Sequence, residues 1–399
     1  MSLANGRHYL AIPGPSVMPD RVLQAMHRPA PNIYTGELPD MVAGIVPDLK
    51  RVARTDHHVA MYIANGHGAW EAALCNILSR GDRILVLGTG RFCLGWGEMA
   101  AVMGVDCQII DFGPRSDIDM SRVAEALAAD KDHQIKAVLA VHVDTSTSVK
   151  NNIKALRDTL DTAGHPALLC SDNIACLACD DFHMDAWGVD VMVTGSQKGL
   201  MTPPGMAFVY FNDRADAARA DANLVTAYWD WRPRVAAEEF YRYFNGTAPT
   251  HHLYGLRVAL DMILEEEGLE NVLARHATLA RAIWAALDTW GESGPVRANI
   301  ADHGKRSNAV TAVNMGPGNG QRMRDWMTAE AGITLGIPLG GVEGPDGDVA
   351  DYLRIGHMGH VNAQMVLGVL GSLQAGMSAL QIPHHSGGLE AAMQVIAEG

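Results

Sequence analysis

The chain has 399 residues, 48% of them hydrophobic and 19% charged, a composition typical of a globular protein long enough for two domains. Its formal net charge of −14 argues against anionic partners, so we expect neither nucleic acid nor a membrane surface as a partner. The stretch MSLANGRHYLAIPGPS contains no apolar core of the signal-peptide type, and no run of about 18 apolar residues follows. We therefore expect a cytoplasmic protein.

Strands and helices alternate from about residue 60 to residue 212. Apolar runs that predict strands lie at 82–88, 105–111, 135–143, 166–172, 189–195 and 206–212. Helical patterns lie at 68–79, 91–104, 120–130 and 151–164. Because the strands are continuously apolar, we expect both faces of the sheet to be covered by helices. The pattern predicts an α/β fold with a mostly parallel sheet.

The pattern changes after a long helical stretch at 253–287, which breaks near Gly268. Beyond it, NAVTAVNM (308–315) and a glycine-rich stretch at 336–347 indicate a smaller α+β unit. We therefore predict an N-terminal arm at 1–20, a large domain at 21–268 and a small C-terminal domain at 269–399.

Cys176 and Cys179 form the only CxxC spacing in the chain. A zinc or redox role would require a second Cys/His pair or a helix start at the first cysteine, and neither is apparent. We expect core thiols, since free cysteine packs as a small hydrophobe, and no metal site.

Two charged residues follow neighbouring predicted strands, where an open α/β sheet binds its ligands. Asp172 ends the strand at 166–172, and Lys198 follows the strand at 189–195. A lysine can form a Schiff base with the aldehyde of pyridoxal phosphate, and a carboxylate can keep its ring nitrogen protonated. An ordinary strand-end carboxylate and a surface lysine would also give this pair, so it leaves both interpretations open.

Other polar and aromatic residues fall at the same predicted edge. The turn at 65–68 precedes a helix whose first amides could hold a phosphate. Phe92 could stack on a flat ring or pack in the core. The remaining candidates are Thr145, which offers a hydroxyl, and Gln197, which adjoins the lysine.

Arg354 lies among apolar residues and glycines in LRIGHMG (353–359). Its forked guanidinium matches a carboxylate, which could belong to a substrate or to a structural ion pair. We expect the neighbouring His357 to pack or cap, without a catalytic role.

Together these segments resemble the class V, fold-type I pyridoxal-phosphate aminotransferases, and in particular their serine/alanine–glyoxylate branch. The specific parts are GSQKGLM (195–201) with PPG (203–205), HPALLCSD (165–172), and LYGLR (253–257) with EGLENV (267–272). The likeness runs from IPGPSVMPDRVLQAM (12–26) to RIGHMG (354–359). It implies the fold-type I transferase fold, pyridoxal 5′-phosphate as cofactor, and a homodimer with shared active sites. The implied reaction moves an amino group from serine, alanine or aspartate to glyoxylate or pyruvate.

The resemblance also implies a role for each candidate residue. Lys198 resembles the Schiff-base lysine, which also moves the proton between substrate and cofactor, and Asp172 resembles the partner of the ring nitrogen. Arg354 resembles the clamp on the substrate α-carboxylate. The implied cofactor contacts are Ile174 and Phe92 on the two ring faces, Gly66, His67, Gly68 and Gln197 at the phosphate, Thr145 near the ring oxygen or phosphate, and Thr247 at the phosphate of the neighbouring subunit.

Four segments depart from the family pattern. Asn32-Ile33-Tyr34-Thr35-Gly36 stands where relatives carry a His-Arg-Ser segment near the entrance, so we expect Tyr34 to contact substrate and to influence the donor. Asp144 to Ser148 (DTSTS) replaces Glu-Thr-x-Thr-Gly, Phe244 replaces a tyrosine, and the segment 337–353 is longer than expected.

Three alternative functions use the same fold. The first is an aminotransferase for another amine, such as pyridoxamine. It is disfavoured because relatives that use pyridoxamine differ at the Ser-Gln before the lysine and at the phosphate turn, whereas this chain keeps Ser196, Gln197 and the turn. A lyase or desulfurase is a second alternative, although a desulfurase would require a loop cysteine. A non-catalytic binding protein is disfavoured by the presence of Lys198, Asp172 and Arg354 together.

Overall fold

The computed structural model describes residues 2–235, 237, 239–340 and 348–399. Its strands are β1 Tyr9–Ala11, β2 His58–Tyr62, β3 Arg83–Gly88, β4 Asp106–Asp111, β5 Ile135–Val141, β6 Val143–Asp144, β7 Val149–Lys150, β8 Leu168–Asp172, β9 Val191–Gly195, β10 Ala207–Phe211, β11 Arg297–Ala298, β12 Val310–Asn314, β13 Ile333–Leu335 and β14 Tyr352–Gly356. Its α-helices are α1 Asp20–Met26, α2 Glu37–Ala53, α3 Gly66–Ile77, α4 Arg91–Val102, α5 Met120–Ala129, α6 Ile153–Thr162, α7 Asp213–Ala218, α8 Arg232–Val235, α9 Thr250–Asp261, α10 Leu269–Gly291, α11 Asn319–Trp326, α12 Ala363–Ala379 and α13 Gly388–Glu398. Residues 341–347, within the segment that the sequence suggests is long, lie outside the described residues.

A seven-stranded sheet in the order β2-β10-β9-β8-β5-β3-β4 forms the centre of the molecule. β10 runs antiparallel to both of its neighbours, and the other pairs are parallel. The predicted α/β fold with a mostly parallel sheet is therefore confirmed.

Helices cover both faces of this sheet because successive strand residues point to opposite sides. Val138 and Leu169 face a core shared with α2, α5, α6 and α9. Leu139 and Cys170 face a second core shared with α3 and α4. The expectation of a sheet covered on both faces is wrong for β4, which lies at the edge and exposes most of its residues.

The helical pattern after residue 250 breaks where the sequence predicts. α9 ends in a π-helical turn at Met262–Glu266, and Gly268 has a φ of +83° before α10 begins. Beyond it, β11, β12 and β14 form an antiparallel sheet, while β1 pairs in parallel with β13. The division of the chain into domains at residue 268 stays a prediction. None of the described helices combines the length and apolar character needed to cross a bilayer.

Strand register brings the polar strand ends together. Asp172 pairs with Val141 of β5 on one side and with Val193 of β9 on the other. The segment that follows β5 and the turn that follows β9 therefore flank Asp172 at the carboxyl edge of the sheet, as expected for an open α/β sheet.

Candidate active site

A cavity that opens toward solvent lies at the carboxyl ends of β5, β8 and β9, the edge at which an open α/β sheet binds its ligands. Eight of the predicted site residues line it: Gly66, His67, Phe92, Thr145, Asp172, Ile174, Gln197 and Lys198.

Asp172 lies at the base of the cavity and is only 2% exposed. Its Oδ1 accepts the backbone N–H of Ile174 at 2.7 Å, and its Oδ2 accepts the indole N–H of Trp70 at 2.8 Å. Burial raises the pKa of Asp172 to about 7, although both donors act in the opposite direction. The sequence analysis missed Trp70, because nothing in GAW distinguishes a carboxylate partner from a core tryptophan.

Lys198 is enclosed by the N-terminal segment, which the sequence analysis also missed as part of the site. The amine donates to the carbonyl of Pro13, and the Ser16 hydroxyl donates to the Lys198 carbonyl at 2.8 Å. Burial lowers the pKa of Lys198 to about 8; the charge of Arg354 lowers it further and that of Asp172 opposes the shift. A larger fraction of neutral amine is therefore available near neutral pH than for an ordinary lysine.

The N-terminus of α3 provides amides for an anion. Helix α3 begins at Gly66, so the N–H groups of Gly66 and His67 have no partner within the helix. The amide of Gly68 is already used, because it donates to the Asn65 side chain at 3.2 Å. A Cβ on Gly66 would clash with Ile174 Cδ1, so a side chain at residue 66 would require the Ile174 side chain to move.

The residues that line the cavity fit pyridoxal phosphate. The Gln197 side-chain oxygen is buried and has no hydrogen-bond partner among the described residues, so the amide is available to a polar ligand. The helix N-terminus suits a phosphate, Asp172 suits a pyridinium nitrogen, and the amine of Lys198 suits an aldehyde.

Arg354 lies beside the cavity and is 6% exposed. Its Nε donates to the Ile337 carbonyl at 2.7 Å and its Nη1 to the Thr145 carbonyl at 2.9 Å. No carboxylate in the described part of the chain lies within 4.0 Å of the guanidinium. Burial lowers its pKa to about 10, and Asp144 opposes that shift.

Two predicted site residues lie apart from the cavity. Tyr34 is 84% exposed, and Thr247 is exposed on the segment before α9. His357 is buried and hydrogen-bonds Thr311 and the Asn308 carbonyl. Cys176 and Cys179 are buried free thiols whose pKa values burial raises, which is consistent with a packing role for both.

Comparison with known proteins shows the family to which the chain belongs. The family model for aminotransferase class-V matches residues 51–337. The chain is 35% identical to the serine–glyoxylate aminotransferase of Arabidopsis thaliana, over 92% of this chain and 90% of that protein. It is also 35% identical to the L-aspartate–glyoxylate aminotransferase of Paracoccus denitrificans, over 96% of this chain and 94% of the relative.

The fold is shared with a solved relative of the same kind. The ureidoglycine-glyoxylate aminotransferase of Bacillus subtilis superposes with a TM-score of 0.87 and 25% identity, over all of both chains. With the family model spanning most of the chain and these relatives spanning nearly all of it, the chain belongs to the class-V aminotransferases, enzymes of fold type I that use pyridoxal 5′-phosphate.

Proposed function

We propose that this enzyme transfers the amino group of a small amino acid (serine, alanine or aspartate) to glyoxylate, with Lys198 as the cofactor-binding lysine. The names of its relatives support glyoxylate as the acceptor, with serine and aspartate as donors. Pyruvate is the second acceptor that we consider.

The buried guanidinium of Arg354 is the observation that carries the proposal. A buried cation normally pairs with an anion, yet the described partners of Arg354 are two neutral carbonyls. It also lies close enough to Lys198 to lower the pKa of that amine. An α-carboxylate bound by Arg354 would neutralise the cation and bring the substrate Cα toward Lys198.

The chain's own residues would then perform the proton transfer. Pyridoxal phosphate, when bound, supplies a reactive aldehyde and a ring that withdraws electrons from the substrate Cα. Lys198, with its pKa lowered to about 8, can take the proton from Cα as a base and deliver it as an acid. Asp172 would hold a proton at the ring nitrogen, and the first amides of α3 would hold the phosphate.

We also propose roles for the two exposed residues that lie apart from the cavity. Thr247 would reach the phosphate of the partner subunit in a homodimer, and its exposure in the single chain is compatible with that role. Tyr34, in the loop at 32–36 that departs from the family pattern, would influence which amino donor enters.

The test is the visible absorption spectrum of the purified holoenzyme, recorded with L-serine, L-alanine or L-aspartate and no keto acid. We expect one of these amino acids to bleach the cofactor band, and glyoxylate to restore it. Lys198→Ala is the matched control and should lack both the band and turnover. The proposal is wrong if none of the three amino acids bleaches the band, and a response to pyridoxamine alone would instead favour the amine aminotransferase.

A further inference from the structure

The loop between β6 and β7, residues 145–148, contains a backbone conformation that is unusual for its sequence. Ser148 has a φ of +63°, in the left-handed region where non-glycine residues are uncommon. It occupies the last position of the DTSTS segment, where the family motif has glycine. A serine that retains a disfavoured conformation points to a use for its side chain.

The Ser148 hydroxyl accepts the backbone N–H of Ala312, in β12, at 3.1 Å. Strand β11 ends at Ala298. The backbone N–H of the next residue, Asn299, donates to the Ala312 carbonyl at 2.8 Å, and this is the one backbone group of Ala312 that it pairs. The hydroxyl thus satisfies the remaining backbone group of a residue that is fully buried, where an unpaired N–H would be costly.

Ala312 is the residue that faces Arg354 across the antiparallel pair β12–β14. Arg354 in turn donates to the Thr145 carbonyl at 2.9 Å. Three residues apart on one loop, Thr145 and Ser148 therefore hold the two members of one cross-strand pair. The side-chain amide of Asn299 donates a further hydrogen bond to the Thr147 carbonyl at 2.9 Å.

The same loop and Asp144, the last residue of β6, also contact the helix that contains Phe92. Asp144 accepts the backbone N–H of Phe92 at 2.9 Å, and the Ser146 hydroxyl accepts that of Arg91 at 3.0 Å. A single loop thus connects the start of α4, on the cofactor side, with the strand pair that contains Arg354.

We propose that Ser148 is a positioning residue for the amino donor: its hydroxyl holds Ala312 and thereby fixes the Arg354 guanidinium against Thr145. The inference rests on the proposed role of Arg354 as the clamp for the donor carboxylate. Ser148 itself does not line the cavity. Its loss should weaken binding of carboxylate-bearing donors while leaving the cofactor in place.

The test compares the holoenzymes of wild type, Ser148→Gly and Ser148→Ala. Each is titrated with the amino acid that bleaches the cofactor band (L-serine, L-alanine or L-aspartate) and with 2-aminoethanol, which is serine without its carboxylate. We expect the half-saturating concentration of the amino acid to rise in both variants, by at most about five-fold, the factor reached if the whole contribution of the lost hydrogen bond is expressed in donor binding. The value for 2-aminoethanol and the intensity of the cofactor band should not change.

The glycine and alanine variants of Ser148 distinguish an effect of the lost hydroxyl from an effect of backbone strain. Ser148→Gly relieves the left-handed conformation whereas Ser148→Ala retains it, so a strain effect would differ between them and a hydroxyl effect would not. Ser307→Ala is the control for a buried hydroxyl elsewhere, because Ser307 accepts the N–H of Ala309 at 2.9 Å and donates to Asp180 at 2.8 Å, and neither partner is hydrogen-bonded to Arg354 among the described residues. It should leave amino acid binding unchanged.

Arg354→Lys, measured in parallel, separates this inference from the proposed function. If Arg354→Lys weakens amino acid binding and the Ser148 variants do not, only the role of Ser148 is wrong. If Arg354→Lys has no effect, the clamp and the role of Ser148 fail together. Equal weakening of the amino acid and of 2-aminoethanol would also overturn the inference, because it would indicate general damage to the site.

Discussion

Trp70 donates its indole N–H to Asp172 Oδ2 at 2.8 Å, and both residues are almost fully buried. The two come from different elements, since Trp70 lies in the first turns of α3 and Asp172 ends β8. The same helix presents its first amides to the cavity. One helix therefore contacts both ends of the proposed cofactor site, the phosphate end through its backbone and the ring-nitrogen end through Trp70.

We predict that Trp70→Phe reduces turnover about ten- to hundred-fold, because a hydrogen bond to a charged group contributes roughly 1.5–3 kcal/mol. Without the indole N–H, the pKa of Asp172 rises further, so less carboxylate is available to pair with a protonated ring nitrogen. Turnover and the dissociation constant of the cofactor would be measured. Trp96→Phe is the control, because Trp96 stacks on Trp70 at 6.0 Å and its indole nitrogen has no partner among the described residues. Equal losses in the two variants would contradict the prediction.

Asp172→Asn should make the stability of the cofactor-free protein less dependent on pH while it abolishes most turnover. The pKa of Asp172 is raised from 3.8 to about 7 in the folded chain, so folding binds a proton between these pH values. The stability of wild type therefore falls as pH rises through this window, and the cost of the buried charge is complete above about pH 7. The amide cannot accept one of the two N–H groups that the carboxyl accepts, which lowers the stability of the variant equally at every pH, but relative to wild type the variant should gain about 2 kcal/mol between pH 5.5 and pH 8.

Thermal unfolding of the two cofactor-free proteins at pH 5.5 and pH 8 checks this prediction. The stability of the variant relative to wild type should be lower at pH 5.5 than at pH 8, because the wild-type carboxyl is then mostly protonated and carries little buried charge. A relative stability that is higher at pH 5.5 than at pH 8 would show that burial does not raise the pKa of Asp172.

The rate at which cofactor-free protein captures pyridoxal phosphate should rise with pH and level off above about pH 8. Only the neutral amine attacks an aldehyde, and the pKa of Lys198 is lowered to about 8. Arg354→Met removes a neighbouring positive charge and should move the midpoint upward, whereas Asp172→Asn removes a negative charge and should move it downward. The absorbance change after mixing at several pH values measures the rate, and a midpoint near that of an ordinary lysine would contradict the prediction.

Arg354→Lys should raise the KM of the amino donor by about ten- to hundred-fold with a smaller change in kcat. Lysine keeps the charge but loses the planar fork that matches a carboxylate. It would also break the bonds to the Ile337 and Thr145 carbonyls. Steady-state kinetics with each amino acid measure the effect, and a lower kcat with an unchanged KM would argue against the clamp.

Much of the fold could be predicted because burial on both faces makes the central strands continuously apolar. The predicted strand at 189–195 appears as Val191–Gly195 and the one at 206–212 as Ala207–Phe211. The antiparallel direction of β10 could not be predicted, because a continuously apolar sequence is the same for a parallel and for an antiparallel strand. The three-residue strands β1 and β13 are too short to show a period.

The candidate site could be predicted where residues end a strand, as Asp172 does, or closely follow one, as Lys198 does. The contacts that depend on distant packing could not. Pro13 and Lys198 are hydrogen-bonded although they lie 185 residues apart in the sequence. Ser148 and Ala312 are hydrogen-bonded at a separation of 164 residues. Neither pair has a periodic signal, because each contact arises only when the strand ends and loops assemble.

Gly14→Ala should prevent Lys198 from holding the cofactor. A Cβ at residue 14 would lie 2.5 Å from Lys198 Nζ and 2.6 Å from its Cε, so the side chain would have to leave its position between the N-terminal segment and Asp172. Gly14 also has a φ of +98°, and a side chain there adds backbone strain of roughly 1–2 kcal/mol.

Gly81→Ala separates these two effects. Gly81 has a similar φ of +89°, but a Cβ there would meet no atom within 4 Å. Both variants should lose a similar amount of stability from the backbone, and only Gly14→Ala should lose the visible cofactor band. If both keep the band, the lysine can adopt another position, and the contact with the N-terminal segment is not required for its reactivity.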